Sequence, residues 1–112
     1  MQEEMRTWLT DIASAIREIE SFLPEKRDFF AFQNDLKTKR AIERNLEIIG
    51  EAVGRILKVE PSIQISESRK IVDTRNRIIH GYDTVSDEVL WGIVNKSLPV
   101  LDQEVKALLD EV

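Results

Sequence analysis

The sequence predicts an all-α protein, an antiparallel up-and-down bundle of four long helices and one short helix. Apolar residues recur at spacings of three and four along most of the chain, which is typical of helices with one buried face. Only 4 of the 112 residues are glycine and 6% are aromatic, a balance that favours helix over sheet. No segment alternates apolar and polar residues, and the short connections between long helices favour antiparallel neighbours.

The first helix is predicted by one apolar stripe and ends at Pro24. In the segment 25–32 that follows, Phe29, Phe30 and Phe32 are too close together for a single stripe. We expect a short helix or turn there that plugs one end of the core. The stripe of the first helix consists of Met5, Trp8, Leu9, Ile12, Ile16, Ile19 and Leu23.

The third helix is predicted to be central, because it is apolar on more than one side. Asp35 is its expected N-cap, and the helix runs to about Val59, before Pro61. A helix buried on two sides lies either in the middle of a bundle or between two subunits. Its main stripe is Ile42, Leu46, Ile49, Val53, Ile56 and Leu57, and a second line is Ala41, Ile48 and Ala52.

Serines mark the expected starts of the last two helices. Ser66 is the predicted N-cap of the fourth helix and Ser86 that of the fifth, whose first turn is acidic and suits the positive helix end. Pro99 removes a backbone donor inside the fifth helix, so we expect a kink near Asn95. The predicted buried face of the fifth helix is Leu90, Ile93, Val94, Leu98, Leu101, Val105 and Leu108.

Composition indicates a single domain, residues 1–112, of a cytoplasmic protein. The chain has no cysteine and shows neither a signal peptide nor an apolar run long enough to span a membrane. The formal charge of −5 argues against broad, non-specific adhesion to nucleic acid. A local basic groove that binds phosphates is still compatible with the clustering of Arg69, Lys70, Arg75 and Arg77.

The segment 75–82 carries the most chemistry, since it contains the only histidine and the only tyrosine, His80 and Tyr82. Histidine exchanges a proton near neutral pH, and an arginine such as Arg75 clamps a phosphate through two parallel donors. Gly81 is expected to end the fourth helix in a left-handed conformation, which leaves His80 in the last turn. These groups suit cleavage of a phosphate ester without a metal.

Helix geometry places Arg75 apart from the other polar residues of the fourth helix. It projects from the middle of an apolar arc, and an unpaired buried guanidinium is very costly, so it needs a carboxylate, a phosphate or solvent at a second interface. One alternative is an ordinary salt bridge to a glutamate of the third helix. The polar line is Arg69, Asp73, Asn76 and His80 with Arg77 at its margin, the apolar arc is Ile71, Val72, Ile78 and Ile79, and the candidate glutamates are Glu43, Glu47 and Glu51.

A single histidine limits the mechanism. Cleavage of RNA by its own 2′-hydroxyl needs a base for that hydroxyl and an acid for the leaving oxygen, which call for opposite protonation states. A two-fold dimer supplies two copies of His80, and two copies of Arg75 or Arg77 to stabilise the charged phosphorane. One histidine without clustered partners is a weak metal-ligand set, and no phosphate loop is present, so no metal or cofactor is expected.

Three blocks of the chain resemble a known family. Arg75-Asn76-x-x-x-His80 is similar to the signature of HEPN ribonucleases, and Tyr82 narrows the likeness to the HepT group. The segments 40–52 and 89–94, the latter followed by Leu98-Pro99, resemble that family's third and fifth helices. One departure is 63–65, Ile-Gln-Ile, where family members often carry a proline–tryptophan pair.

The resemblance implies a toxin of a prokaryotic toxin–antitoxin pair. It implies a helical homodimer with one composite cleft that cleaves cellular RNA, including tRNA or mRNA, without a metal. By this likeness His80 is the acid–base residue, Arg75 the phosphate clamp and Asn76 the group that orients the histidine or the substrate. Tyr82 resembles the position to which a nucleotidyltransferase antitoxin attaches AMP, and Arg69, Lys70 and Arg77 are candidate RNA-phosphate contacts.

Two other functions remain open from the sequence. The chain is alternatively a non-catalytic accessory subunit that binds nucleotide or substrate for a nucleotidyltransferase through Arg75, Arg77 and Tyr82. A third possibility is a helical interaction module in which Arg75 only bridges to a carboxylate. The complete set of Arg75, His80 and Tyr82 favours the ribonuclease.

Overall fold

The computed structural model describes residues 2–81 and 85–112, and within these ranges every regular element is helical. This confirms the all-α class. No helix in the described ranges is long and apolar enough to cross a membrane. The elements are α1 (Gln2–Phe22), α2 (Phe29–Gln33), α3 (Leu36–Val59), α4 (Ser68–His80), α5 (Asp87–Gly92), a π turn (Ile93–Ser97) and α6 (Leu98–Glu111).

α3 is the centre of the bundle, as its two apolar lines predict. It packs against α1 on one side and α4 on another, and it also contacts the short α2. α6 in turn lies against α1. The domain measures 42 × 32 × 19 Å, so its thin dimension is about two helix diameters of roughly 10 Å. α4 therefore packs mainly against α3, and much of its surface faces outward.

The predicted stripes form the core. Leu9, Ile12 and Ile19 of α1 have no solvent exposure, and neither do Ile42, Ile49, Val53 and Ile56 of α3 in the same core. Met5, Trp8, Leu23, Leu57 and Leu108 are partly buried at its edges. The buried members of the three stripes are Leu9, Ile12, Ile16, Ile19, Ile42, Leu46, Ile49, Val53, Ile56, Leu90, Ile93, Val94, Leu98, Leu101 and Val105.

The short α2 plugs one end of the core with two of its three phenylalanines. Asp28 caps the helix by accepting a hydrogen bond from the Ala31 N–H at 3.2 Å. The rings of Phe32 and Phe29 pack on Trp91, with centroids 4.9 Å and 5.7 Å away. Phe30 instead points outward and is 73% exposed, because adjacent positions on a helix face different directions.

Side-chain caps fix the starts of α3 and α5 as predicted. Asp35 accepts hydrogen bonds from the Thr38 hydroxyl at 2.6 Å and from the Thr38 N–H at 3.0 Å. These two bonds favour the charged carboxylate and lower the pKa of Asp35 below its usual value. Ser86 caps α5 by accepting from the Val89 N–H at 3.2 Å.

The predicted cap of α4 is wrong. α4 begins at Ser68, after Glu67, whose side chain makes no capping hydrogen bond. Ser66 lies one position too early, and its backbone N–H donates to the carboxylate of Glu104 on α6 at 3.1 Å. A tertiary contact between the α3–α4 connection and α6 thus takes the place of a local serine cap.

The irregularity expected near Asn95 is a π turn. Pro99 lies in the first turn of α6 and has no N–H to offer the carbonyl of Asn95, so regular α-helix bonding is interrupted there. The Asn95 amide donates to the Trp91 carbonyl at 2.9 Å within the same stretch. The helix 87–111 continues through this turn instead of ending at it.

Candidate active site

α4 ends at His80 and is closed by Gly81, as the sequence predicts. Gly81 has a φ of 68°, the left-handed region that glycine adopts without strain, and its N–H donates to the Arg77 carbonyl at 3.2 Å. His80 is therefore held in the last turn of α4, where it is exposed. Tyr82, the candidate site of AMP attachment, lies outside the described residues.

The polar and apolar sides of α4 lie largely where the sequence places them. Arg69, Asp73, Arg77 and His80 are exposed and Asn76 is partly buried, whereas Ile71 is buried and Val72 and Ile78 are partly buried. Ile79 departs from the expected arc, with 42% of its surface exposed. α4 packs mainly on the single helix α3, which covers a narrower arc than the apolar residues span.

Arg75 leaves α4 directly over a glycine of α3. A Cβ added to Gly50 would lie 2.2 Å from Cβ and 2.7 Å from Cγ of Arg75, and 3.3 Å from the carbonyl oxygen of Ile71. Only a residue without a side chain permits so close an approach. The packing of α3 against α4 thus sets where the guanidinium emerges, which is from the middle of the contact face.

The Arg75 guanidinium is held by an amide instead of a carboxylate. Its Nη1 donates to Oδ1 of Asn76 at 3.0 Å, and across the described ranges Arg75 makes no salt bridge. The structural alternative of a bridge to α3 therefore gains no support. The three candidate glutamates pair within α3: Glu43 with Arg40 at 2.7 Å, Glu47 with Arg44 at 3.8 Å, and Glu51 with Arg55 at 2.9 Å.

An open pocket of about 560 Å³ lies beside this pair, between α3 and α4. Sequence reasoning did not find the basic residues that α3 brings to it, Arg55 and Lys58. The sequence feature that could have indicated this pocket is the pair of glycines four residues apart on α3, which leaves space opposite α4. The pocket is lined by Gly50, Glu51, Gly54, Arg55, Lys58, Val72, Arg75 and Asn76.

The structure brings Arg75 and Asn76 together but separates Arg75 from His80. Five helical positions correspond to a rotation of about 140° and a rise of about 7.5 Å, so the two side chains leave α4 in different directions.

Of the other basic candidates, Lys70 lies 3.7 Å from Glu67, and Arg69 and Arg77 are exposed. In the described part of the chain no three histidine, cysteine or acidic residues cluster as metal ligands would.

Comparison with known proteins assigns the chain to a family. The family model described as Ribonuclease HepT-like matches residues 12–108. A probable ribonuclease HepT of Thermococcus cleftensis is 37% identical, covering 96% of this chain and 98% of its own length. A putative RNase of Caldanaerobacter subterraneus is 33% identical over 80% of this chain and 84% of its own, and one of Methanocaldococcus jannaschii is 27% identical over 99% and 92%. No solved structure matches the chain significantly.

The chain therefore belongs to the HepT-like ribonuclease family. Its helical bundle agrees with the fold expected from the resemblance in segments 40–52, 75–80 and 89–94. The family model and the names of the relatives support a ribonuclease.

Proposed function

We propose that this protein is a metal-independent endoribonuclease that cleaves RNA at a cleft between two copies of the chain. The observation that carries this proposal is the Arg75 guanidinium, which lines an open pocket and is held by the neutral amide of Asn76. A neutral partner leaves the positive charge available for a phosphate, whereas a carboxylate would compete for it. The exposed His80 on the same helix supplies the proton-transfer group.

In the proposed reaction the 2′-hydroxyl of a ribose attacks the neighbouring phosphate. His80 of one copy removes the hydroxyl proton, His80 of the second copy protonates the departing 5′-oxygen, and Arg75 stabilises the charged phosphorane. The products are a 2′,3′-cyclic phosphate and a 5′-hydroxyl. Asn76 positions Arg75 through the 3.0 Å hydrogen bond between them.

A homodimer is supported by the direction of the side chains. Arg75 and His80 leave one α4 about 140° apart, so a second copy related by a two-fold axis is needed to bring two His80 side chains and an Arg75 guanidinium to one phosphate. Ile79, beside His80, is 42% exposed and would be covered by such an association.

We further propose that the protein is the toxin of a toxin–antitoxin pair and that a nucleotidyltransferase antitoxin silences it by attaching AMP to Tyr82. Tyr82 follows His80 by two positions in the sequence. An added nucleotide brings bulk and negative charge close to the catalytic histidine, and it would block and repel RNA there. Arg69, Lys70 and Arg77 would supply further contacts to RNA phosphates.

The test is cleavage of a labelled RNA in excess EDTA by the wild type, His80→Ala and the control Arg17→Ala. Arg17 is an exposed residue of α1 that the proposed site does not use. We expect cleavage by the wild type and the control and a loss of at least about 10²-fold in His80→Ala, the usual size of an acid–base contribution. Mass spectrometry must first establish that Tyr82 carries no AMP.

Absence of cleavage by an unmodified, folded wild type would contradict the proposal. It would favour the accessory-subunit function, in which Arg75, Arg77 and Tyr82 contact a nucleotide bound for a partner enzyme. Equal cleavage rates for the wild type and His80→Ala would instead show that His80 takes no part in the chemistry. Other residues would then have to catalyse the cleavage.

A further inference from the structure

The pocket between α3 and α4 extends away from the proposed catalytic centre. Gly50 lies against Arg75, whereas Gly54 faces Val72, three residues nearer the start of α4. The pocket therefore runs from Arg75 toward the N-terminal half of α4, in the direction opposite to His80. An RNA strand that is bound at Arg75 and continues on this side would enter the pocket.

The two glycines give this pocket its shape. At Gly50 the helices touch, but at Gly54 the nearest atom to an added Cβ is a Val72 methyl at 4.0 Å. The gap between α3 and α4 therefore widens over the one helical turn that separates these two positions. The opening exposes the next residues of α3, Arg55 and Lys58, toward the pocket.

The charges around the pocket suit an anion. Three of its lining residues, Arg55, Lys58 and Arg75, are cationic and one, Glu51, is anionic, in a chain whose net charge is −5. Within residues 2–81 and 85–112, Lys58 has no salt-bridge partner. This concentration of positive charge on an acidic protein favours an anionic ligand such as a phosphate.

The Arg55–Glu51 pair does not prevent Arg55 from binding a phosphate. Its side chains are 58% and 52% exposed, and an exposed pair one helical turn apart contributes little stability. A phosphate offers arginine two parallel hydrogen bonds and more charge than the carboxylate that it would replace. Arg55 can therefore turn from Glu51 to an incoming phosphate at small cost.

The spacing matches a nucleotide strand. Gly50 is the α3 residue that lies against Arg75. Arg55 follows Gly50 by five residues, which corresponds to about 7.5 Å along the axis of α3. This is the order of one nucleotide step in an extended single strand. A strand whose scissile phosphate binds Arg75 would thus bring its next phosphate to Arg55 and Lys58.

We infer that Arg55 and Lys58 form a binding subsite for the RNA phosphate adjacent to the scissile one, in the pocket of α3 and α4 opened at Gly54. The inference rests on the proposed ribonuclease function and adds to it a stretch of the path taken by the substrate. We assign neither residue a part in bond cleavage, because both lie on the side of Arg75 opposite to the His80 of their own chain. Their role is to bind and align a substrate that extends beyond the two nucleotides joined by the cleaved bond.

The test compares two double variants in the His80→Ala background, where RNA is not consumed. Arg55→Gln/Lys58→Gln removes the subsite, and Arg17→Gln/Lys106→Gln removes the same charge elsewhere. Lys106 is a suitable control because it pairs with Asp102 four residues away at 2.9 Å and is 67% exposed, much like Arg55. Binding of a fluorescent RNA hexanucleotide is measured by anisotropy over a range of salt concentrations.

We expect the subsite variant to raise Kd roughly tenfold and to reduce the slope of log Kd against log salt by about 0.7, the value for one phosphate contact in a single strand. The control should change Kd less than about twofold, the size expected for exposed charges remote from the ligand. In the active background, the ratio of kcat/KM for the hexanucleotide to that for a dinucleotide, which has only the scissile phosphate, should also fall about tenfold.

Two outcomes separate the subsite from the proposed function. If the wild type cleaves RNA but the subsite variant binds and cleaves like the control, the subsite is refuted and the ribonuclease stands. If the wild type does not cleave RNA yet the subsite variant loses affinity relative to the control, the phosphate subsite stands and the ribonuclease fails. A wild type that does not cleave, together with His80→Ala protein that binds no RNA, refutes both.

Discussion

Replacing Gly50 by alanine should destabilise the protein, whereas the same change at Gly54 should not. Alanine is favoured over glycine inside a helix by about 1 kcal/mol, so both variants gain this much from α3 itself. At Gly54 the new methyl meets only a Val72 methyl at 4.0 Å, an ordinary contact. At Gly50 it meets Cβ of Arg75 at 2.2 Å, where ordinary contacts begin at 3.4 Å, so α4 must move by about 1 Å.

Such overpacking costs about 1–3 kcal/mol or more, and the unfavourable contact involves the stem of Arg75 and the backbone of Ile71, which cannot rotate away. We expect Gly50→Ala to lower the free energy of unfolding by up to about 2 kcal/mol net and Gly54→Ala to raise it by up to about 1 kcal/mol. For a domain of this size the two midpoints should differ by about 10 °C.

Thermal unfolding followed by far-UV circular dichroism measures both midpoints. Protein concentration must be equal in all samples, since association shifts apparent stability by mass action. A Gly50→Ala variant as stable as Gly54→Ala would show that α4 does not pack on Gly50, and the position derived for Arg75 would then be wrong.

Three further predictions concern the site and its support. Arg75→Ala should lower RNA cleavage by about 10²–10³-fold with the far-UV dichroism spectrum retained, because its partner is the Asn76 amide and no buried carboxylate is left unpaired; a collapse of helicity would contradict this. Tyr82→Phe should abolish AMP attachment by the partner nucleotidyltransferase, as seen by intact mass, and continued labelling at the same level would refute the assignment. Asp35→Ala should lower the melting temperature at neutral pH, because the folded pKa of Asp35 is depressed and its stabilising effect is present above the usual aspartate range; the difference from wild type should shrink as pH falls through that depressed pKa. A difference that grows on acidification would contradict the cap.

Local patterns predict most of this fold because they depend on single helices. The stripes of α1 and α3, the Asp35 and Ser86 caps and the left-handed Gly81 each follow from the chemistry of a few neighbouring residues. Ser66 is not the cap because α4 begins one residue later than predicted, and its backbone N–H instead donates to Glu104, 38 positions away. Contacts between helices that are distant in sequence leave no local signal.

The candidate site is predicted only in part, because it depends on contacts between helices as well as on local patterns. The unusual position of Arg75 in the apolar arc is readable from helix periodicity, but its hydrogen bond to the neighbouring Asn76 is seen only in the structure. The close approach of Gly50 arises only when α3 and α4 are packed. Ile79 is more exposed than its place in the arc suggests, because among the described residues α4 packs mainly on one helix, α3. Arg55 and Lys58 look like surface residues of α3 until the pocket beside Arg75 is seen.

The most direct test of the proposed mechanism is the chemical identity of the RNA ends made by unmodified wild-type protein in excess EDTA. Attack by the ribose 2′-hydroxyl predicts 2′,3′-cyclic phosphate and 5′-hydroxyl ends by mass spectrometry, and no product when the ribose at the cleavage site is 2′-deoxy. Ends bearing a 5′-phosphate, or cleavage that persists on the 2′-deoxy substrate, would mean that water is the nucleophile and would contradict the roles given to His80 and Arg75.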